Sequence, residues 1–293
     1  MEHRSIKRLS KQTTNKIAAG EVVERPISIV KELVENSIDA GASSIVVEIK
    51  NGGKSYIRIT DNGSGILPDE VEMAFERHAT SKISDSDDLN RLMSLGFRGE
   101  ALASIAAVSH AELITKTHSN QSGIQVKLDG GVLNHKKEIG CPNGTTIIIS
   151  DLFYNTPARL KFLKQDSTEA NLIIDFVSKI SLAFSSISFR LINNGKILFS
   201  TSGSGQIYKS ITSIYQKEIA QDLIHVSENN DLYELEAYIS TSSNTRASKK
   251  YQIFFMNGRY IKSPLLDKAL NNAYRELVFE GRYPIAFLFL KVK

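Results

Sequence analysis

Glu32, Asn36 and Asp39 lie at helical spacing in the run Lys31-Glu32-Leu33-Val34-Glu35-Asn36-Ser37-Ile38-Asp39-Ala40-Gly41-Ala42. At about 100° per residue these three share a narrow arc, while Val30, Leu33, Val34 and Ser37 fall along the other side. One face suits a core, and the other offers a carboxylate and an amide one turn apart. The same pattern describes a plain amphipathic helix with a solvated acidic face, so the residues that follow must decide between the two. They include Asp61-Asn62-Gly63-Ser64-Gly65 and Gly96-Phe97-Arg98-Gly99, where glycines let the backbone come close to a ligand. Two phosphate-binding signatures are excluded. Gly53-Lys54-Ser55 resembles the end of a Walker A loop, but the first glycine of that motif would fall at Glu48. Pro68 stands where a dinucleotide fingerprint wants its third glycine.

The elements that must position these residues are legible in outline. Pro26 suits a first helical turn and Gly41 a left-handed closing position, so the helix is bounded by its own sequence. Ser43–Lys50 alternates, turns at Asn51-Gly52-Gly53 and continues through Lys54–Thr60, which predicts a β-hairpin ending at Asp61. Pro68, Asp69 and Glu70 then predict a helix start leading to Val71, Ala74 and Phe75. His78–Leu95 is polar and weakly patterned, which suggests a lid. A small-residue helix over Glu100–Val108 follows, then strands at Ala111–Thr117, Gly123–Leu128 and Thr145–Ser150 and a helix at Glu169–Ala183. A strand pair about Asn194-Gly195 closes a first domain of residues 1–202, with residues 203–206 as linker. Residues 207–293 predict a second α+β domain: a helix near Ile207–Gln216, strands at Asp231–Ser240 and Tyr251–Met256, a tight turn at Asn257-Gly258, a helix after Pro264 and a last strand at Ile285–Val292.

Composition narrows the class. With 293 residues, 41% hydrophobic and 23% charged, the chain suits a globular fold with room for two domains. No window reaches the roughly 20 apolar residues of a membrane span, and the first residues carry no secretory apolar segment, so a cytoplasmic protein is expected. Cys141 is the only cysteine and the six histidines show no zinc spacing, which argues against a disulfide or a structural metal. A net charge of +4 permits contact with polyanions without requiring it. Arg246, Lys249 and Lys250 in one polar stretch, and Arg259 and Lys262 about a turn, are the candidates for sequence-independent contact with nucleic-acid phosphates; for any one of them a solvated basic face is the favoured reading.

Taken in order, Glu32…Asn36…Asp39-Ala40-Gly41, Asp61-x-Gly63-x-Gly65, Gly96-Phe97-Arg98-Gly99-Glu100-Ala101-Leu102 and Gly144-Thr145 resemble the ATPases that group gyrase, heat-shock chaperone, histidine kinases and MutL. With His78-Ala79-Thr80-Ser81-Lys82 and Phe153-Tyr154-Asn155-Thr156-Pro157-Ala158-Arg159, the chain is similar to the MutL branch, the DNA mismatch-repair ATPases. The resemblance runs from Ile17-Ala18-Ala19-Gly20-Glu21 to Asn257-Gly258-Arg259.

It implies an α+β fold: a two-layer ATPase domain with a mixed sheet under helices, then a smaller βαβ-containing domain like that of gyrase B. It also implies roles. Glu32 would be the general base for the attacking water, and Asn36 a neutral amide ligand to Mg²⁺, where a second carboxylate would set a like charge beside Glu32. Asp61 would accept from the exocyclic amine of adenine, where guanine presents a carbonyl; a turn aspartate is the plain alternative. Asp39, Gly63 and Gly65 would complete the nucleotide site, and Gly96 through Leu102 would wrap the triphosphate. Thr145, rather than its neighbour Thr146, matches the adenine-pocket threonine, although both are strand residues. Lys82 resembles a phosphate-contacting lid lysine and is equally a solvated loop charge. ATP would close the lid and join two modules in a homodimer, relaying mismatch recognition by a MutS-type partner. A slow ATP-gated DNA clamp and a topoisomerase subunit remain as other classes. In relatives a lysine beyond the last strand reaches the γ-phosphate, and no such motif precedes Lys293, so ATP binding with weak hydrolysis is expected of these residues.

Overall fold

The computed structural model describes residues 14, 19–20, 22–79 and 99–293. Helix α1 (Pro26–Asp39) begins at the proline, whose missing N–H would have had no intrahelical partner. It ends as the glycine dictates. Gly41 has φ +71°, its N–H donates to the Ile38 carbonyl at 2.9 Å, and the Ala42 N–H donates to the Ser37 carbonyl at 3.2 Å. This crossed pair satisfies two of the carbonyls a helix end leaves open. Pro26, Ile29, Val30, Leu33, Val34 and Ser37 are buried, the stripe the spacing predicts.

Strands β1 (Ser44–Lys50) and β2 (Tyr56–Asp61) pair antiparallel with Val47 opposite Ile59. Ile45, Val47, Ile49, Ile57 and Ile59 are buried, and α1 packs against both strands. The helix expected after Pro68 is reduced to turns and one 3₁₀ turn, Met73–Phe75. Glu76 returns to extended backbone (ψ 151°) and His78 takes φ +63°, so no second helical turn can form. Apart from His78 and Ala79, the lid expected over His78–Leu95 lies outside the described residues, as do Lys82, Gly96, Phe97 and Arg98.

Helix α2 (Ala101–Ala107) leads into β3 (His110–Lys116), β4 (Gly123–Asp129), β5 (Val132–Ile139) and β6 (Gly144–Ser150), and packs against β3 and β4. Helices α3 (Pro157–Phe162) and α4 (Asp166–Ala183) and strands β7 (Ser188–Asn193) and β8 (Lys196–Ser200) follow. Among the described residues these eight strands form one sheet in the order β5-β4-β3-β6-β2-β1-β7-β8, antiparallel from β5 through to β1. Strand β5 was not foreseen. It is an edge strand exposed from Val132 to Glu138, so it carries no apolar alternation to read.

The chain divides into two compact units, residues 1–176 with 189–198 and residues 177–188 with 199–293. The division passes through α4, and the segment expected as a linker, 203–206, lies inside the second unit. That unit continues with α5 (Ile207–Ile214), α6 (Lys217–Ala220), β9 (Leu223–Asn229), β10 (Tyr233–Ser240), β11 (Thr245–Arg246), β12 (Gln252–Met256) and β13 (Arg259–Ile261), then α7 (Pro264–Ala273), β14 (Tyr283–Pro284) and β15 (Ala286–Val292). Its main sheet has the order β13-β12-β15-β10-β9, with β12 and β15 parallel. The chain passes through α7 between those two parallel neighbours, which makes the βαβ unit. Ile211, Tyr238, Ile253, Phe255, Ile285 and Phe287 fill one side of the sheet, while Phe254, Leu270, Tyr274 and Ala286 form a second cluster.

Candidate nucleotide-binding site

Asp61 ends β2, opposite Thr145 of β6 in register. Its Oδ1 accepts from the Gly63 N–H at 2.9 Å and the Thr145 N–H at 3.2 Å, while Oδ2 accepts from the Ser37 hydroxyl at 2.8 Å. Each carboxylate oxygen has about two lone-pair sites, so the spare accepting capacity lies on Oδ2. Burial raises the Asp61 pKa above the ordinary carboxylate value, against the lowering effect of the Gly63 N–H, the Ser37 hydroxyl and the Thr145 N–H. The bond from Gly63 is the one a plain turn aspartate makes, but those from Ser37 and Thr145 are not: they hold Asp61 from a helix and from the neighbouring strand.

The glycines around Asp61 are required by space. A Cβ on Gly144, at φ +110°, would stand 2.1 Å from the Asp61 carbonyl oxygen. One on Gly65, at φ +74°, would stand 2.3 Å from the carbonyl oxygen of Lys116. The loop after Asp61 is tied back to the end of α1 by the Ser64 N–H on the Ala40 carbonyl at 3.0 Å. Further along, the Ile66 N–H donates to the Thr115 hydroxyl at 2.9 Å.

Ser37 couples the helix to the carboxylate. Its bond to Asp61 fixes the rotation of α1, and with it the arc of Glu32, Asn36 and Asp39, all three half-buried. Glu32 and Asn36 are four residues apart, about 6 Å along the axis, so their side chains lie one above the other. No cluster of three or more His, Cys, Asp or Glu among the described residues is arranged to hold a metal ion. A single amide oxygen from Asn36 fits Mg²⁺ nonetheless, because that ion keeps most of its shell as water and phosphate oxygens.

On the far side of the undescribed stretch, Gly99 takes φ +62° and its carbonyl accepts from the His78 N–H at 3.0 Å. Glu100 lies 3.3 Å from His78 Nδ1, and Ala101 and Leu102 open α2, both half-buried. The two flanks of residues 80–98 therefore meet. Cavities of about 340 Å³ beside His110 and Asp129 and about 500 Å³ beside Phe75 and Ala103 contain none of the expected site residues.

The basic candidates for DNA contact divide. Arg246 donates to Asn244 Oδ1 at 2.9 Å, to the Thr245 carbonyl at 3.0 Å and to the Glu218 carbonyl, an anchoring role within the second unit. Lys249 lies over the Tyr283 ring and Lys250 over that of Tyr251. Arg259 and Lys262 are exposed about β13. Ser37 and Thr115 are the site residues that sequence reasoning missed. Ser37 falls on the core stripe of α1, where the one hydroxyl among apolar residues is the available signal; a strand threonine such as Thr115 offers none.

Residues 24–151 match the family model of histidine kinase-, DNA gyrase B- and HSP90-like ATPases, and residues 211–293 match that of the C-terminal domain of DNA mismatch repair proteins. The chain is 49% identical to the DNA mismatch repair protein MutL of Agathobacter rectalis over 96% of its own length and 43% of the relative's. It is 47% identical to that of Halothermothrix orenii, over 98% of its own length and 45% of the relative's. It thus spans under half the length of these curated relatives. Among solved structures it is similar to the MutL ATPase domain of Aquifex aeolicus complexed with ADP, with a TM-score of 0.72, 26% identity and 93% of each chain covered. Fold and site together define an ATPase of the gyrase B and HSP90 kind, a nucleotide-binding module. Within that class the chain belongs to the MutL family, over the part that holds its N-terminal ATPase module.

Proposed function

We propose that this chain is the nucleotide-operated module of a DNA mismatch-repair protein, binding ATP with Mg²⁺ and hydrolysing it slowly. The observation that carries the reading is Asp61, a half-buried carboxylate held by Ser37, Gly63 and Thr145 with accepting capacity left on Oδ2. Such a group accepts one hydrogen of the adenine amine and repels the carbonyl that guanine places there. Gly63 and Gly65 let the loop after Asp61 pack against Ala40 and Lys116, where a Cβ would not fit, and Asp39, the last residue of α1, would join the site from the helix. Asn36 would hold Mg²⁺, and the ion would supply charge to offset that of the phosphates. Glu32, one turn away on the same face, positions and deprotonates the water that attacks the γ-phosphate. Thr145, Lys82 and the stretch Gly96-Phe97-Arg98-Gly99-Glu100-Ala101-Leu102 complete the nucleotide contacts, and residues 1–202 act as the ATP-binding domain.

Nucleotide-driven closure over His78–Leu95 and pairing of two modules would couple recognition by a MutS-type partner to later repair steps. DNA would be held through its backbone by exposed Lys249, Lys250, Arg259 and Lys262, with Arg246 supporting that surface from within. No described helix is long and apolar enough to cross a membrane. The test is single-turnover hydrolysis by Glu32→Ala. Its ATP affinity should stay near that of the unaltered chain while the rate falls by about 10²–10⁴. An unchanged rate would remove Glu32 from the chemistry.

A further inference from the structure

Thr115 is a residue of β3 that belongs to none of the motifs above, yet its hydroxyl sits at a junction of the site. It is 1% exposed and makes three contacts: the Ile66 N–H at 2.9 Å, the Gly144 carbonyl at 3.1 Å and the Thr145 hydroxyl at 3.1 Å. A hydroxyl has one proton and two lone pairs. The Ile66 N–H takes one lone pair. The Gly144 carbonyl can only accept, so that contact takes the proton. The contact with Thr145 is then a hydrogen bond only if Thr145 is the donor. In the reverse sense Thr115 would spend its proton on Thr145 and leave its oxygen facing the Gly144 carbonyl at 3.1 Å without a hydrogen between them. Only one arrangement makes all three contacts favourable, and burial makes the others costly.

We infer that Thr115 is a specificity-determining positioning residue: it consumes the hydroxyl proton of Thr145 and so makes the wall beside Asp61 accept hydrogen bonds only. This rests on the reading of Asp61 as the base-recognising carboxylate. The Thr145 N–H holds Asp61 Oδ1 at 3.2 Å, so the Thr145 hydroxyl and the carboxylate border the same end of the site. Two acceptors there favour a purine with an amine at C6 and repel one with an oxygen. A Thr145 free to turn its proton outward would offer that oxygen a donor and weaken the discrimination. Thr115 touches no nucleotide in this account and acts through its neighbour.

The experiment measures affinities for ATP and for ITP, which carries the C6 oxygen without the extra amine of guanine, in the unaltered chain and in Thr115→Val, Thr115→Ser and Thr145→Val. Thr115→Val keeps the shape and removes the hydroxyl; it should lower the ATP:ITP preference about five- to tenfold, the worth of one hydrogen bond. Thr115→Ser, which restores the hydroxyl, should restore the ratio, whereas a purely structural loss would weaken both nucleotides alike. Thr145→Val removes the hydroxyl that Thr115 orients, leaves the other Thr115 bonds in place and should also relax the ratio, so it serves if Thr115→Val does not fold. A wild-type preference for ATP that survives in a folded Thr115→Val, or in Thr145→Val, overturns the role of Thr115 alone. Equal binding of ATP and ITP by the unaltered chain overturns the adenine-site reading and this inference with it.

Discussion

Replacing Asp61 by asparagine should separate nucleotide recognition from fold stability. The new carbonyl oxygen keeps the place of Oδ1 and still accepts from the Gly63 and Thr145 N–H groups, which stand at 2.9 and 3.2 Å. The amide nitrogen takes the place of Oδ2 and would face the Ser37 hydroxyl, 2.8 Å away, donor to donor. Ser37 resolves the conflict by one rotation: its proton turns fully to the Leu33 carbonyl, 3.1 Å away, and its oxygen accepts from the new amide. The fold is therefore retained. The spare acceptor is not, because an N–H now points where a lone pair would meet the adenine amine. A hydrogen bond to a charged group is worth about 1.5–3 kcal/mol, so ATP affinity should fall by about ten- to a hundredfold.

Stability should move the other way. Burial raises the folded-state pKa of Asp61 above its unfolded value. Its stabilising contribution is then complete below the unfolded pKa and is lost as pH rises through the folded pKa. At pH 7 the ionised carboxylate is a net cost that asparagine removes, so Asp61→Asn should unfold at the same or a higher temperature, with the advantage shrinking as pH falls through the folded-state pKa of Asp61 and gone by about pH 4. Isothermal titration with ATP and thermal unfolding at pH 7 and pH 4 test both halves. The unaltered chain should also lose ATP affinity on acidification from above the ordinary carboxylate pKa, and the variant should not. Undiminished ATP affinity in Asp61→Asn would refute the recognition argument, and a marked loss of stability at pH 7 would refute the electrostatic one.

Asn36→Ala should weaken ATP binding in a manner partly rescued by raising Mg²⁺, whereas no Mg²⁺ concentration should rescue Asp61→Asn; titrations at several metal concentrations distinguish the two, and equal rescue would undo the ligand assignment. Gly144→Ala should lower stability by roughly 2–3 kcal/mol in denaturant titration, since strained backbone at φ +110° is joined by a Cβ 2.1 Å from the Asp61 carbonyl oxygen. Gly41→Ala meets nothing within 4 Å and carries only the cost of φ +71°, so it should lose about 1 kcal/mol; equal losses at the two sites would show that the close approach is not what matters.

The sequence by itself determined α1 almost completely. Its apolar stripe, its opening proline and its closing glycine are local facts, and local facts decide where a helix starts, where it stops and which face is apolar. The hairpin ending at Asp61 was equally legible, because alternation and a glycine turn are carried within a few residues. Beyond that, the ordered motifs pointed to the family while no single one could, since each is a common turn or helix taken alone. Strands β5 and β9 escaped notice because an exposed edge strand has no buried face to impose a pattern. The one-turn remnant at Met73–Phe75 shows the converse, a helix start without the following backbone to sustain it. Only the tertiary structure decided what Asp61 is. Its partners Ser37 and Thr145 are 24 and 84 residues away, and Thr115 joins the site from a third strand to hold Thr145 and Ile66. Nothing in a chain marks which hydroxyl will be buried beside which carboxylate, because that depends on the register of β6 against β2 and β3, a pairing made across the sheet and not along the sequence.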